Sequence, residues 1–436
     1  MAGANLAPAI GSFLTETQVC VMVKRPGTFS ALVVGVWLAV FFAGCDGSNC
    51  PDDAGRGSAS VAGPLSDEAL RPYQSKLLDL AFDAVTTMPV DPHIKDRSRA
   101  QGDVVTVCLR LNQPARALRY CEKILNWRRG ECYADYALYC ADAGESDQAR
   151  RYIQQAAKIS DGSSDWRRDR IRAKIARTHA LLGDHDQARR IDANVGETEQ
   201  GKLSGVLAAR DGNEPFQEHL RQIDRAATSG NHDLLQNVLR SSARLYGVVY
   251  ADIARRDALE EKIKSSWKPL PIFMRVDLLM DLSGIAVDHG DKARSLALLD
   301  EAQTIVAGAR WPARYQVTLL ARLGRLRSRA GDRDKAVAQL KEALSVFDSR
   351  RRMILDIERA GALRAVAEAW YAIGEASAAL DTYKRAIEAG CENRNSRPRA
   401  EDLSATCCSM ALVGARPDAA MWDRMRKIYE GLGDPW

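Results

Sequence analysis

At 436 residues and 47.9 kDa, the chain is long enough for about three average domains or for one repetitive array. It is 46% hydrophobic and 27% charged, which excludes a disordered tail protein, and Lys+Arg 62 against Asp+Glu 57 is too balanced for a dedicated nucleic-acid binder. Few prolines (15) and 6% aromatics point away from β-sandwiches and toward helices.

In the amino-terminal segment, Lys24 and Arg25 form a short positive stretch, and residues 29–44 carry no charge. This apolar run is slightly shorter than the roughly 17–25 residues a spanning helix needs, but it fits a signal-peptide core. It ends in Phe42-Ala43-Gly44-Cys45, followed by polar Asp46-Gly47-Ser48-Asn49. The pattern resembles the lipobox of bacterial lipoproteins, with Phe42 where leucine is usual. The resemblance implies that 1–44 is a signal peptide and that Cys45 is the lipid attachment site. It also implies a place in the bacterial cell envelope, lipid-anchored on the periplasmic side of a membrane; the alternative is an uncleaved signal anchor. The first 21 residues hold one acid, Glu16, and no base, so Met22 reads as the initiator. Residues 45–70 form the lipidated end and a Gly/Ser/Pro/Asp-rich flexible linker.

From residue 71 to 436 one pattern recurs. A helix ends in Gly, a polar residue follows, and Ala lies about five residues after the Gly in a second helix. The turns fall at Gly144, Gly183, Gly290, Gly331, Gly374 and Gly414, and Asn112 before Pro114 takes the same role. Glycine supplies a left-handed turn, and the next polar side chain can cap the following helix. Intervals are 32 and 39 residues, then 41, 43 and 40. Between 183 and 290 the period blurs, with weaker candidates at Gly212 and Gly247, and the number of repeats over 195–275 is open.

With the turns fixed, the remaining positions resemble the tetratricopeptide repeat. The copies are Leu323-Gly324, Gly331, Ala336, Leu340 and Ala343; Val366-Ala367, Trp370, Gly374, Ala379, Tyr383 and Ala386; and Tyr136-Ala137, Gly144, Ala149, Ile153 and Ala156. The resemblance implies an all-α, right-handed solenoid of stacked helical hairpins that presents a concave surface to protein or peptide partners.

No phosphate-binding glycine loop, HExxH helix, nucleophile elbow or EF-hand spacing occurs. Nothing calls for a cofactor or metal, and catalysis is not expected. Asp184-His185-Asp186 and Asp332-Arg333-Asp334 read as helix caps. Six histidines are scattered singly, with His179 at a packing position. Of ten cysteines, Cys20 falls in the signal segment, and none forms a CxxC pair. Export suggests disulfides, with Cys121–Cys140 and Cys391 to Cys407 or Cys408 as candidates; buried thiols acting as small hydrophobes are the alternative.

In tetratricopeptide arrays particular positions of the first helix line the concave surface. That correspondence puts Arg322, Arg325 and Arg329 there, with Arg364 in the next repeat and Arg170, Lys174 and Arg177 in an earlier one. Such a stripe can grip an acidic peptide or carboxylate, or be a solvated face answered by nearby acids such as Asp332 and Glu342. The expectation is a lipid-anchored, non-enzymatic scaffold, with an accessory subunit of an envelope enzyme, or a solenoid enzyme without a recognisable motif, as alternatives.

Overall fold

The computed structural model describes residues 65–209 and 213–436. The expected signal peptide, Cys45, Cys50 and Gly212 lie outside the described residues.

The described chain is all-α. Helix α1 (Pro72–Thr86) leads into the hairpins α2–α3 (Val90–Arg110, Pro114–Glu122), α4–α5 (Arg128–Asp142, Ser146–Asp161) and α6–α7 (Asp165–Leu181, His185–Asp192). Then come α8 and α9 (Ser204–Ala208, Asn213–Thr228), α10–α11 (His232–Val248, Ile253–Ser266) and α12–α13 (Ile272–Asp288, Lys292–Gly308). The series ends with α14–α15 (Ala313–Arg329, Arg333–Ser349), α16–α17 (Asp356–Ala372, Ala376–Ala389) and α18–α19 (Ser396–Val413, Ala419–Glu430).

The turns have the chemistry the sequence predicts. Gly144, Gly183, Gly290, Gly331, Gly374 and Gly414 all have φ between 79° and 98°, and Asn112 has φ 53°. Left-handed backbone closes each first helix where a Cβ would be strained. Asp291 and Asp332 then accept from the amides of Arg294 and Lys335, capping α13 and α15. Glu145, Asp184 and Glu375 stand at the same position without a side-chain cap. Gly247 sits inside α10, and the α10–α11 turn is instead capped by Asp252.

Small residues let each hairpin close. A Cβ on Gly324 would lie 3.0 Å from Leu340 and 3.1 Å from the Ala336 carbonyl, so α14 and α15 cross at backbone contact there. Ala336, Ala379 and Ala149 are fully buried at equivalent crossings. The period blurs after Gly183 because α7 and α8 are short and residues 193–203 are mostly turns.

Successive even-numbered helices from α2 to α18 pack against one another, whereas α3, α5 and α7, and later α13, α15 and α17, chiefly cover their own hairpin partners. The even helices therefore line the inside of a curved wall. The curve then closes: α18 packs on α2, and α1 lies along α18 in the place of an outer helix. One core joins the two chain ends, with Leu77, Leu78 and Phe82 of α1 in the same cluster as Cys407, Met410 and Met425. Gln74 donates to the Ala411 carbonyl at 2.8 Å, and Tyr73 and Tyr371 both donate to that of Gly414. The stacked hairpins expected from the sequence thus form a ring, and the expected concave surface is the wall of a lumen.

The end of the expected linker is docked on this ring. Leu65 packs against the core, and Asp67 accepts from the amides of Ala115 and Arg116 at the start of α3. Inner helices run in one direction, so the ring has two unlike rims. The glycine turns form the trailing rim, and the connections into α2, α4, α6, α12, α14, α16 and α18 form the leading rim.

Candidate functional site

The lumen is lined by charged side chains on the inner helices, and most are paired with the neighbouring repeat. Arg322 of α14 spans two acids of α12, Asp277 at 2.8 Å and Asp281. Arg329 pairs with Asp288, the last residue of α12. On the other side, Lys174 of α6 reaches Asp135 (2.7 Å) and Glu131 (3.1 Å) of α4, and Arg170 also reaches Glu131 at 2.8 Å. Arg364 differs from the rest of the expected stripe: it is buried, holding Asp402 of α18 at 2.8 Å.

Three of the four expected partner-binding residues, Arg322, Arg329 and Arg364, are therefore answered by acids of a neighbouring repeat. The acids that do so are Asp277, Asp281, Asp288 and Asp402, not Asp332 and Glu342. Asp332 caps α15 and pairs with the buried Arg327, away from the stripe. The signal for these acids was present in the sequence: opposite charges recur one repeat length apart, 41 positions for Asp281/Arg322 and Asp288/Arg329, and 39 for Asp135/Lys174.

Arg325 is the exception. Its side chain is exposed and makes no hydrogen bond or ion pair with a described residue. Desolvation nevertheless lowers its pKa, with Glu368 of α16 opposing that shift. Exposure to water together with a desolvation cost is what a side chain experiences when protein surrounds an open channel. Arg110, the last residue of α2, is in the same position: exposed, without an ion pair among the described residues, its pKa lowered by desolvation and by Arg325. Helices α2 and α14 are not wall neighbours, since α16 and α18 stand between them. Their side chains thus face each other across a corner of the lumen, with Glu368 as the acid nearest both.

The acids of the lumen are electrostatically unlike each other. Burial pushes the Asp103 carboxyl up to about 6, with Arg99, Arg128 and Arg170 opposing it, and Asp103 makes no ion pair with a described residue. Burial also raises Asp281 to about 6 despite Arg322, helped by the charge of Asp277. Burial alone would raise Glu131 as well, but Lys174, Arg170 and Arg128 outweigh it and hold the group near 2. Such separation of carboxyl pKa values is a feature of functional sites and of structural ion networks alike.

All seven described cysteines are free thiols. The Cys121 thiol lies against that of Cys132 on α4. Cys140 is eight residues further along the same helix, about 12 Å away, too far for Cys121 to serve both. Cys391 donates to the Ile387 carbonyl, Cys407 contacts Met425, and Cys408 faces Cys108 of α2 across the ring seam. None of the disulfides expected from the sequence is formed. Burial raises Cys108, Cys140 and Cys407 to about 12, which suits inert core thiols. His179 is half-buried and bonds Asp184 at 3.2 Å. Among the described residues no group of three or more His, Cys, Asp or Glu side chains is arranged to hold a metal, and no helix is long and apolar enough to cross a membrane.

These features define a tetratricopeptide-like helical-repeat protein whose hairpins close into a ring around a charged lumen. No family model matches the sequence, and no curated protein does. Among solved structures, the crystal structure of the APC/C hetero-tetramer Cut9-Hcn1 is similar at 14% identity, covering 75% of this chain and 59% of that chain, with a TM-score of 0.25. This chain thus spans under two thirds of that chain's length, and so loose a superposition carries no argument about function.

Proposed function

We propose that this protein is a non-enzymatic scaffold that takes an acidic segment of a protein partner into its lumen. The observation that carries the reading is the pair Arg110 and Arg325. Neither guanidinium group forms an ion pair with a described residue, Glu368 acting on both only at a distance, although Arg322 and Arg329, one turn either side of Arg325, are both neutralised. A peptide carboxylate supplies the missing counter-charge in a geometry suited to guanidinium. Capture of membrane-fraction proteins by wild-type chain, with loss in Arg110→Ala/Arg325→Ala at unchanged circular dichroism, supports the reading; equal capture by both overturns it.

Attachment through a lipid on Cys45, at the periplasmic face of a bacterial membrane, completes the proposal, and its support is the lipobox-like Phe42-Ala43-Gly44-Cys45. Metabolic labelling with a clickable palmitate tests it: Cys45→Ser should lose the label, and a Cys45→Ser chain that keeps it refutes the anchor. As part of an envelope assembly, the scaffold is suited to act as an accessory subunit of an enzyme that its partner carries.

A further inference from the structure

The leading rim carries a periodic feature that the lumen reading does not use. Lys268, Arg310, Arg352 and Arg394 each stand in the connection before an inner helix, at α12, α14, α16 and α18, and they are spaced by 42 residues each time. All four side chains are exposed, and none makes a side-chain hydrogen bond or ion pair with a described residue. In a chain whose other repeat-spaced cations are so widely answered by acids, four successive unanswered ones form a line along one edge.

Apolar side chains follow the same spacing. Phe273, Tyr315 and Ile357 are also 42 apart, with the Phe273 and Tyr315 rings stacked at 6.4 Å. Beside Ile357, which is 52% exposed, Met353 and Leu355 are 76% and 60% exposed, while Ile354 between them anchors the connection in the core. Further round the rim, Trp166 is exposed and carries the Arg167 guanidinium over its ring at 5.0 Å. The trailing rim is mixed in charge: the helix-start acids Asp252 and Asp418 are exposed there, beside the exposed cations Lys292, Arg333 and Lys335 and the exposed Val248 and Ile253.

Exposed aliphatic side chains interleaved with these cations, beside the half-buried Phe273 and Tyr315 rings and on loop tips that share one edge, are complementary to the headgroup region of an anionic bilayer. The rings and aliphatic chains sit at the acyl boundary, and the cations meet lipid phosphates. We infer that the leading rim is a docking surface for an anionic membrane, with the arc Lys268–Arg310–Arg352–Arg394 and the tip Met353–Leu355 as its contact. The inference is independent of the lumen. It is also independent of the lipid, since the twenty residues 45–64 reach at most about 70 Å when extended, whereas a 17-residue helix is about 26 Å long. An anchor at Cys45 therefore leaves either rim free to face the bilayer.

The test is hydroxyl-radical footprinting of the full chain on phosphatidylglycerol vesicles and on phosphatidylcholine vesicles, read by peptide mass spectrometry. Labelling of Met353 and Trp166 should fall several-fold on the anionic vesicles alone, while labels on the trailing rim stay unchanged. The variant Lys268→Glu/Arg310→Glu/Arg352→Glu/Arg394→Glu alters exposed, unpartnered positions, and it should restore full labelling with unchanged circular dichroism. Equal labelling on both vesicle types overturns the inference. So does protection that rises with protein concentration in the absence of vesicles, because a second copy of the chain would then be what covers the rim.

Discussion

Arg99 on α2 and Glu401 on α18 meet at 2.7 Å although 302 positions separate them in the chain. Asp96 and Arg397 extend the contact into a four-membered network across the seam where the ring closes. All four are partly solvated, so each pair is worth at most about 1 kcal/mol. The seam is held by its apolar side, where Leu77, Leu78 and Phe82 are buried in the core shared with α18.

That division predicts unequal mutants. Glu401→Gln should lower stability by about 1 kcal/mol or less. Leu78→Ala, which empties a fully buried site, should cost about 2–5 kcal/mol. Urea titration of the two variants checks the difference; similar losses would mean that charge, not packing, closes the ring.

The repeat register makes a second prediction. Ala379 is fully buried where α17 crosses α16, and Ala338 is exposed on the equivalent outer helix α15. Ala379→Leu overpacks the crossing and should cost about 1–3 kcal/mol. Ala338→Leu should leave the melting temperature nearly unchanged, and matched melting curves for both would refute the assigned register.

The hairpins were legible because each depends on a local rule. A left-handed residue at Gly331 and a small side chain at Ala336 can be read within a dozen positions of each other. Ring closure depends on α1 meeting α18 more than 300 residues away, and no local pattern in either helix announces its partner. The lumen was half legible. The arginines stood out as a same-sign stripe, yet their neutralising acids lie one repeat upstream on α12, visible only once the 41-residue spacing is applied to opposite charges. Arg364 was misplaced because its partner, Asp402, is on α18, the next inner helix, which turns the guanidinium into the wall.

Asp103 gives a pH-dependent prediction. Its carboxyl titrates near 6 in the ring and near 3.8 in the unfolded chain. Between those values the folded state holds a proton that the unfolded state releases, so this group's contribution to stability falls as pH rises from about 4 to 6, and the penalty persists above. Asp103→Asn removes the charge, with Arg99, Arg128, Arg170 and Glu131 still facing the site. The variant should be more stable than wild type at pH 7.5 by about 1–2 kcal/mol, after allowance for partial solvation. The gain should vanish near pH 4. Denaturant titrations at both pH values measure it, and a destabilised variant at pH 7.5 would show that the negative charge is needed by those arginines.

The thiols allow a test of neighbours. Cys121 and Cys132 are in contact, whereas Cys140 is about two turns of α4 beyond. Partial unfolding under a mild disulfide oxidant, followed by refolding and non-reducing peptide mapping, should yield a Cys121–Cys132 linkage. A dominant Cys121–Cys140 peptide would contradict the packing of α3 on α4.

The arginine stripe separates structure from binding most sharply. Arg322 bridges Asp277 and Asp281, and burial raises the pKa of both acids even with the guanidinium present. Arg322→Glu would set three carboxyl groups together on the facing turns of α12 and α14. Removing one member of such a partly buried network typically costs about 3–5 kcal/mol, because the charges left behind stay desolvated. The loss should shrink as pH falls toward about 6, because without the guanidinium Asp281 takes up its proton at a higher pH than in the wild type. Arg325→Glu, three residues along the same face, has no carboxylate to offend except Glu368, and it relieves the repulsion from Arg110. Its stability should match wild type within about 0.5 kcal/mol, as for surface substitutions generally. Its capture of an acidic partner should be lost. Comparing the two variants by thermal melts and by pull-down at low and at 1 M salt distinguishes the roles, since the Debye length of about 3 Å at 1 M weakens exposed contacts far more than the enclosed Arg322 network. A stable Arg322→Glu protein, or an Arg325→Glu protein that still captures its partner, would reverse the assignment.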